Sequence, residues 1–257
     1  MQLRRQPPAD PTAFLPSADA VAKLGAAAMV MAAAFLSRDP VTPAILLAGE
    51  GIALLLTGMR TRDLVRVLAP LLVVATVIGL TNGLFAGATA AGPEDRVTIG
   101  LALGLRIAAI ALAGVLALAT TDPADLATGL IGHLRVPARV AIGALAGLRL
   151  APILGDEWAT IGLARRARGV DAGRNVLVAA RLWATAVLGL LVAAIRRGGR
   201  MALAMDARGF DSGIPRSLAR PPRMRRADWL LLAVGAVLAV GAIAISVALG
   251  TWTFLFG

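Results

Sequence analysis

Val97–Ala119 reads VTIGLALGLRIAAIALAGVLALA, 23 residues with one charge, Arg106. A helix needs about 20 predominantly apolar residues to cross the hydrocarbon core of a bilayer. The stretch is also rich in Ala and Gly, the small residues that let membrane helices approach closely. It therefore predicts a transmembrane helix. Four other segments read the same way: Ala20–Leu36, Ala44–Met59, Leu68–Ala86 and Trp229–Leu249. Trp229 and Trp252 bracket the last of them, at the interfacial depth that Trp prefers. The whole chain is 58% hydrophobic with a mean hydropathy of +0.79, whereas soluble domains sit near 45–50% apolar. The predicted fold is an all-α membrane protein with about five transmembrane helices.

Composition excludes several chemistries. The 257 residues contain no Cys, which removes disulfides, thiolate catalysis and cysteine metal sites. A single His, His133, rules out a histidine-rich metal site, and its place before Pro137 reads as an interfacial polar residue. No catalytic residue, metal or cofactor is expected in this chain. The net charge of +11 is not a nucleic-acid signal here, because cytoplasmic Lys and Arg fix the orientation of membrane proteins. The bilayer is the expected partner surface. Arg4 and Arg5 precede a Pro-rich polar stretch, so residues 1–18 read as a cytoplasmic tail rather than a cleaved signal.

The connectors between the first four spans are short. Basic residues concentrate at the N-terminus and in the connector holding Arg60, Arg62 and Arg66, while the connectors containing Arg38 and Arg96 carry one Arg each. This asymmetry places the N-terminus of the multi-pass chain in the cytoplasm. The chain divides into the tail at 1–18, a four-helix transmembrane region at 19–121, a basic cytoplasmic region at 122–226 and a C-terminal transmembrane helix at 227–257.

The stretch Asp122–Asp228 holds 17 of the 26 basic and 8 of the 15 acidic residues, a net of +9. It also contains two apolar runs, Val140–Leu154 and Val176–Ile195, that hydropathy alone would make spans. If both crossed, Arg165, Arg166, Arg168 and Arg174 would face outward, against the positive-inside tendency. The charges predict two long helices at the cytoplasmic interface, about Ala138–Arg168 and Gly173–Arg208, each roughly 45–55 Å long. A short helix bounded by Pro123 and Pro137 precedes them.

These two helices end alike. Ala164–Asp171 reads ARRARGVD and Ala204–Asp211 reads AMDARGFD, with five of eight positions identical at an offset of 40. Gly169 and Gly209 are placed where a helix stops, since Gly takes the left-handed C′ conformation cheaply. Arg168 and Arg208 are then fixed at helix C-termini, near the negative end of the dipole. A guanidinium held at a rigid tip suits a bidentate grip on a carboxylate of another chain, and Ala167 and Ala207 leave room for approach. One Arg-Gly is an ordinary helix stop; two with shared flanks are not.

The doubled Ala-Arg-Gly motif resembles the T component of energy-coupling factor (ECF) transporters, the cobalt, biotin and thiamin-precursor type family. The resemblance spans roughly residues 18–228. It includes Lys23, Thr120-Thr121-Asp122-Pro123, Val136-Pro137-Ala138-Arg139 and Leu148-Arg149-Leu150-Ala151-Pro152. Ala186–Leu190 departs from it by lacking a mid-helix proline. The resemblance implies a non-enzymatic coupling subunit. Its partners would be two ABC-type ATPases, which bind the ATP, and a small membrane substrate-binding subunit for a vitamin or metal ion. Residues Ala167, Arg168, Gly169, Ala207, Arg208 and Gly209 would dock the ATPases. The cargo would be specified by the partner.

Two charges fall inside predicted spans. Glu50 and Arg106 lie at expected depths differing by about 5 Å, and buried charges are usually paired or functional, so they form a candidate intramembrane ion pair. Asp156-Glu157 is a lone acidic pair without a second carboxylate cluster nearby. Two other function classes fit the sequence less well. A membrane-embedded phosphotransferase uses an Asp-rich motif that Asp206-Ala207-Arg208 and Asp211 faintly resemble, but its two divalent ions need about four carboxylates. A conventional ABC permease uses one Glu-Ala-Ala coupling loop per subunit; Glu157-Trp158-Ala159 is a poor version, and this chain has two equivalent tips.

Overall fold

The structure, a computed structural model, describes residues 14–58, 61–86, 92–170, 173, 175–210 and 224–252. Among these are nine α-helices and no β-strand: α1 (Phe14–Ser17), α2 (Ala20–Leu36), α3 (Val41–Leu55), α4 (Thr61–Phe85), α5 (Pro93–Ala119), α6 (Pro123–His133), α7 (Ala138–Ala167), α8 (Val176–Ala207) and α9 (Arg226–Ala248). The chain divides into two compact units, one built on α7 and α8 and the other on the remaining helices.

Local chemistry sets the helix ends. Asp19 caps α2 by accepting the Val21 N–H at 2.8 Å, and Asp122 caps α6 by accepting that of Ala124 at 2.7 Å. Each satisfies a donor that the first helical turn leaves free. Pro93 stands in the first turn of α5 with Glu94 and Asp95, favourable at the positive end of the dipole. α3 begins three residues before the expected Ala44, because Pro43 sits in its first turn, where its missing N–H costs nothing. α4 begins seven residues before the expected Leu68 and continues through Pro70.

In the larger unit α2 packs on α9 and α5, α3 on α5 and α9, α4 on α5, and α6 on α2. Its centre is built mostly of alanine: Ala33, Ala34, Ala109, Ala113, Ala239 and Ala242, with Val30 and Leu46. Small side chains bring helix axes together, and in lipid that van der Waals contact takes over from the hydrophobic effect as the driving force. The closest approach is between α4 and α5. Gly79-x-x-x-Gly83 faces Gly100-x-x-x-Gly104, and a Cβ on Gly79 would lie 2.7 Å from the Gly100 carbonyl oxygen. Gly100 and Gly104, one half of this small-residue seam, lie in the sequence quoted first, and the four-residue spacing on both helices is the signal that could have found it.

Among the described residues five helices are long and apolar enough to cross a membrane: α4, α5, α7, α8 and α9. The expected number is met but the membership differs. α2 and α3 are apolar but only 17 and 15 residues long, while α7 and α8 reach 30 and 32 residues. The long helices stop short of the expected termini: Arg168 and Arg208 are caps rather than last helical residues. α8 starts at Val176 instead of Gly173, since the Asn175 side chain accepts the N–H groups of Leu177 and Val178 at 3.0 and 3.3 Å. α7 contains Pro152; α8 contains no proline, as its sequence requires.

Candidate functional site

The two Arg-Gly tips are built identically. At the end of α7 the Gly169 N–H donates to the Arg166 carbonyl at 3.0 Å and the Val170 N–H to the Arg165 carbonyl at 3.0 Å. At the end of α8 the Gly209 N–H donates to Asp206 at 2.9 Å and the Phe210 N–H to Met205 at 3.0 Å. The crossed 6→1 and 5→2 bonds are those of a Schellman cap. Gly169 and Gly209 take φ of +69° and +72°, which side-chain-bearing residues adopt only with strain. Arg168 and Arg208 are the cap residues, with φ of −90° at both. Ala167, Arg168, Gly169, Ala207, Arg208 and Gly209 are all exposed, and neither arginine's guanidinium makes a hydrogen bond or ion pair among the described residues. Asp171 and Asp211, which complete the repeat, lie outside the described residues.

The helices behind the tips are clamped together over a short stretch where they meet. Arg165 donates from Nη1 to the Leu182 carbonyl and from Nη2 to Thr185 Oγ1 at 3.0 Å. Arg197 reaches Glu157 at 3.2 Å. Trp158 meets Trp183 edge-on, with centroids 6.5 Å apart. Contacts of 165 with 182–185 and of 157 with 197 make α7 and α8 antiparallel. Arg208 therefore lies 23 residues, about 35 Å, along α8 from the point where Arg165 holds it. The two tips are at opposite ends of the pair and present their guanidinia to two different places. Sequence reading missed Arg165 because the second copy has Met205 at that position, so the repeat gives it no weight.

Two polar clamps close the larger unit, and neither was foreseen. At one end Asp228, 2% exposed, accepts the backbone N–H of Asp19 and of Arg225, each at 2.7 Å. Beside it Lys23 Nζ donates to the Thr120 carbonyl at 2.7 Å, joining two segments that carried the family resemblance separately. His133 stands 3.4 Å from Asp19. At the other end Asp39 accepts from the Thr42 N–H and Ser246 Oγ, both at 2.7 Å, and from Ser37 and Thr42 hydroxyls. Burial alone would raise its pKa, but these donors together hold the carboxyl below the usual carboxylate range.

Glu50 and Arg106 are not brought together. Both Glu50 carboxyl oxygens are buried without a hydrogen-bond partner, in a cavity of about 110 Å³ shared with Lys23 and Thr120. The charges nearest Arg106 are Arg38 and Asp39, at the α2–α3 turn. Glu50 lies eleven residues beyond Asp39, roughly 16 Å along α3. The expected depth match fails because the α2–α3 turn, rather than the middle of α3, packs at the level of Arg106. Among the described residues no three His, Asp or Glu side chains cluster to hold a metal.

Residues 12–218 match the cobalt transport protein family, CbiQ. The chain belongs to this family. It is 29% identical over 243 residues to the energy-coupling factor transporter transmembrane protein EcfT of Brevibacillus brevis, covering 88% of this chain and 92% of the relative. To EcfT of Limosilactobacillus fermentum it is 29% identical over 225 residues, 80% of this chain and 83% of the relative. EcfT of Lacticaseibacillus paracasei is 35% identical over 113 residues, 42% of each chain. The resemblance carried by the doubled motif is thus to the right family: the chain is a transmembrane T component of an ECF transporter, a multi-pass membrane protein. These three relatives are named as transporter components, not as enzymes.

Proposed function

We propose that this T component is the coupling subunit of an ECF-type importer. It transmits ATP-driven motion from two cytoplasmic ABC-type ATPases to a small membrane substrate-binding subunit that carries a vitamin or a metal ion. It catalyses no reaction itself and binds no nucleotide. The observation supporting this reading is the pair of identically capped arginines at opposite ends of α7·α8. A rigid cap holds each guanidinium in place before a partner arrives, which reduces the side-chain ordering that binding otherwise requires. Two equivalent tips, one of them about 35 Å along α8 from the Arg165 clamp, suit two ATPases better than one. A rigid antiparallel pair clamped by Arg165 would move as a lever when the ATPases close. In this reading the N-terminus, residues 122–226 and both tips are cytoplasmic, in the plasma membrane of a prokaryote.

The test is co-purification of ATPases with Arg168→Ala, Arg208→Ala and the double variant, alongside cargo uptake. Removing one partner of a hydrogen-bonded interfacial charge pair costs on the order of 2–5 kcal/mol, roughly 30- to several-thousand-fold in affinity. Each single change should weaken recruitment and the double change should abolish it, while Lys at either site restores only part, having lost the bidentate fork. ATPase binding and uptake at wild-type levels in the double alanine variant would overturn the reading.

A further inference from the structure

ATPase docking leaves one strongly charged feature of α8 unexplained. Arg196, Arg197 and Arg200 fall at i, i+1 and i+4, on the same stripe as Gly189, Val192 and Ala193. Together with Glu157 of α7 they line a pocket of about 290 Å³. Three guanidinia thus meet one carboxylate. Arg197 approaches Glu157 Oε2 at 3.2 Å, yet its own Nη1 is buried with no hydrogen-bond partner, and the geometry leaves Glu157 Oε2 without a hydrogen bond too. The guanidinium groups of Arg196 and Arg200 make no ion pair or hydrogen bond among the described residues. Gly198 and Gly199 between them carry no side chain to cover the charges.

A buried N–H left unmade costs the desolvation of that group, and an anionic oxygen in the pocket would satisfy it. The net excess of positive charge selects an anion. The surroundings narrow its source. The floor of the pocket at Gly189, Val192 and Ala193 is uncharged, and the adjoining faces of α8 expose Leu188, Leu191 and Ile195 at 60%, 53% and 66%. An arginine cluster one turn beyond an exposed apolar helix face is the arrangement that lies at a membrane surface and meets acidic head groups. A free phosphate would use the arginines and leave the apolar face bare.

We propose that this pocket binds the phosphodiester of an anionic phospholipid in the cytoplasmic leaflet, with the acyl chains along Leu188, Leu191 and Ile195. This rests on the reading above that α7·α8 lies at the cytoplasmic interface. The lipid would hold the middle of α8 at the membrane surface, a fulcrum between the Arg165 clamp and the Arg208 tip.

The experiment is native mass spectrometry of the purified full chain, titrated separately with phosphatidylglycerol, phosphatidylcholine and inorganic phosphate. The wild type should retain phosphatidylglycerol in preference to phosphatidylcholine. Arg196→Gln with Arg200→Gln should lose that preference by about 30-fold, as expected for two basic contacts at a membrane surface. Glu157→Gln should tighten retention about fivefold, because it removes the one competing anion; a merely structural Glu157–Arg197 bridge would give no gain. Equal phosphatidylglycerol retention by wild type and the double glutamine variant overturns the proposal, as does weaker retention in Glu157→Gln. Inorganic phosphate displacing the lipid without loss of affinity reassigns the pocket to a soluble anion. ATPase recruitment lost from Arg196→Gln/Arg200→Gln with lipid retention unchanged reassigns it to a protein. The tip variants Arg168→Ala and Arg208→Ala should keep full lipid retention, so failure of this site and failure of ATPase docking are read separately.

Discussion

Asp228 accepts a 2.7 Å hydrogen bond from the backbone N–H of Asp19, 209 residues earlier in the chain. Its other oxygen accepts the Arg225 N–H at 2.7 Å, so one buried carboxylate ties the start of α2 to the start of α9. Two helices distant in sequence therefore begin at the same level, and the rest of their lengths follow in parallel register.

Removing that carboxylate strands two N–H groups in a site 2% exposed. Asp228→Ala should destabilise the chain by about 2–4 kcal/mol, taking 1–3 kcal/mol for each unsatisfied group and allowing some access of water. Thermal unfolding in detergent, followed by size-exclusion fluorescence, measures this. A melting curve unchanged from the wild type would show that the α2–α9 tie contributes nothing.

Asp39 gives the opposite end of the larger unit a pH dependence. Its carboxyl is held below the usual range by donors from Ser37, Thr42 and Ser246, which outweigh its burial. A depressed folded-state pKa contributes stability above the unfolded-state value, near 3.9, and loses it as pH falls through the folded value. Stability should therefore drop below roughly pH 4, and Asp39→Ala should remove that acid limb. It should also lower stability at pH 7 by about 1.5–3 kcal/mol, the usual worth of hydrogen bonds to a charged group. An acid limb persisting unchanged in Asp39→Ala assigns it to another carboxylate.

The α4–α5 seam should be intolerant of side chains. A Cβ at Gly79 meets the Gly100 carbonyl at 2.7 Å and one at Gly100 meets the Gly79 carbonyl at 2.7 Å. Both obstacles are backbone, so the helices themselves must part. Gly79→Val or Gly100→Val should cost about 1–3 kcal/mol or more. Gly143→Ala, where nothing lies within 4 Å, should be neutral or stabilise α7 by up to about 1 kcal/mol through helix propensity. Measured stabilities in the reverse order would refute the seam.

Glu50 is 4% exposed and both its oxygens lack partners. Burying a polar group without hydrogen bonds costs about 1–3 kcal/mol on protein mutational scales. Glu50→Met, similar in length and adaptable in shape, should therefore raise the melting temperature. If Glu50 instead paired with Arg106, the same change would lower it, so the sign of the shift decides between the two arrangements.

Topology can be read cleanly because the chain has no Cys. Val170→Cys, 43% exposed beside the first tip, should resist an impermeant thiol reagent added to intact cells and react once the cells are opened. Labelling from outside would place α7·α8 across the membrane instead of at its cytoplasmic face.

The sequence by itself determined the class of the protein and its tips. Apolar runs of bilayer length in an Ala- and Leu-rich chain leave helices as the outcome, because backbone polar groups must be satisfied within each segment in lipid. The doubled Ala-Arg-Gly pattern specified both caps as well, since a Schellman turn depends only on residues within six positions of each other and on a Gly able to reach positive φ. Those are local properties, and α7 and α8 end where the two glycines put them.

What the sequence left open was decided by contacts between residues far apart in it. Glu50 and Arg106 look matched when each is counted from the edge of its own apolar run, yet it is the α2–α3 turn that packs at the level of Arg106. The depth of each charge is fixed only when α3 and α5 pack. Nothing along the chain singles out Asp39 or Asp228; folding alone brings Ser246 to one and Asp19 to the other. Arg165 is one basic residue among several until α8 lies antiparallel beside it. That crossing puts the two arginine tips at opposite ends of one rigid pair, a relation that no periodicity along a single helix encodes.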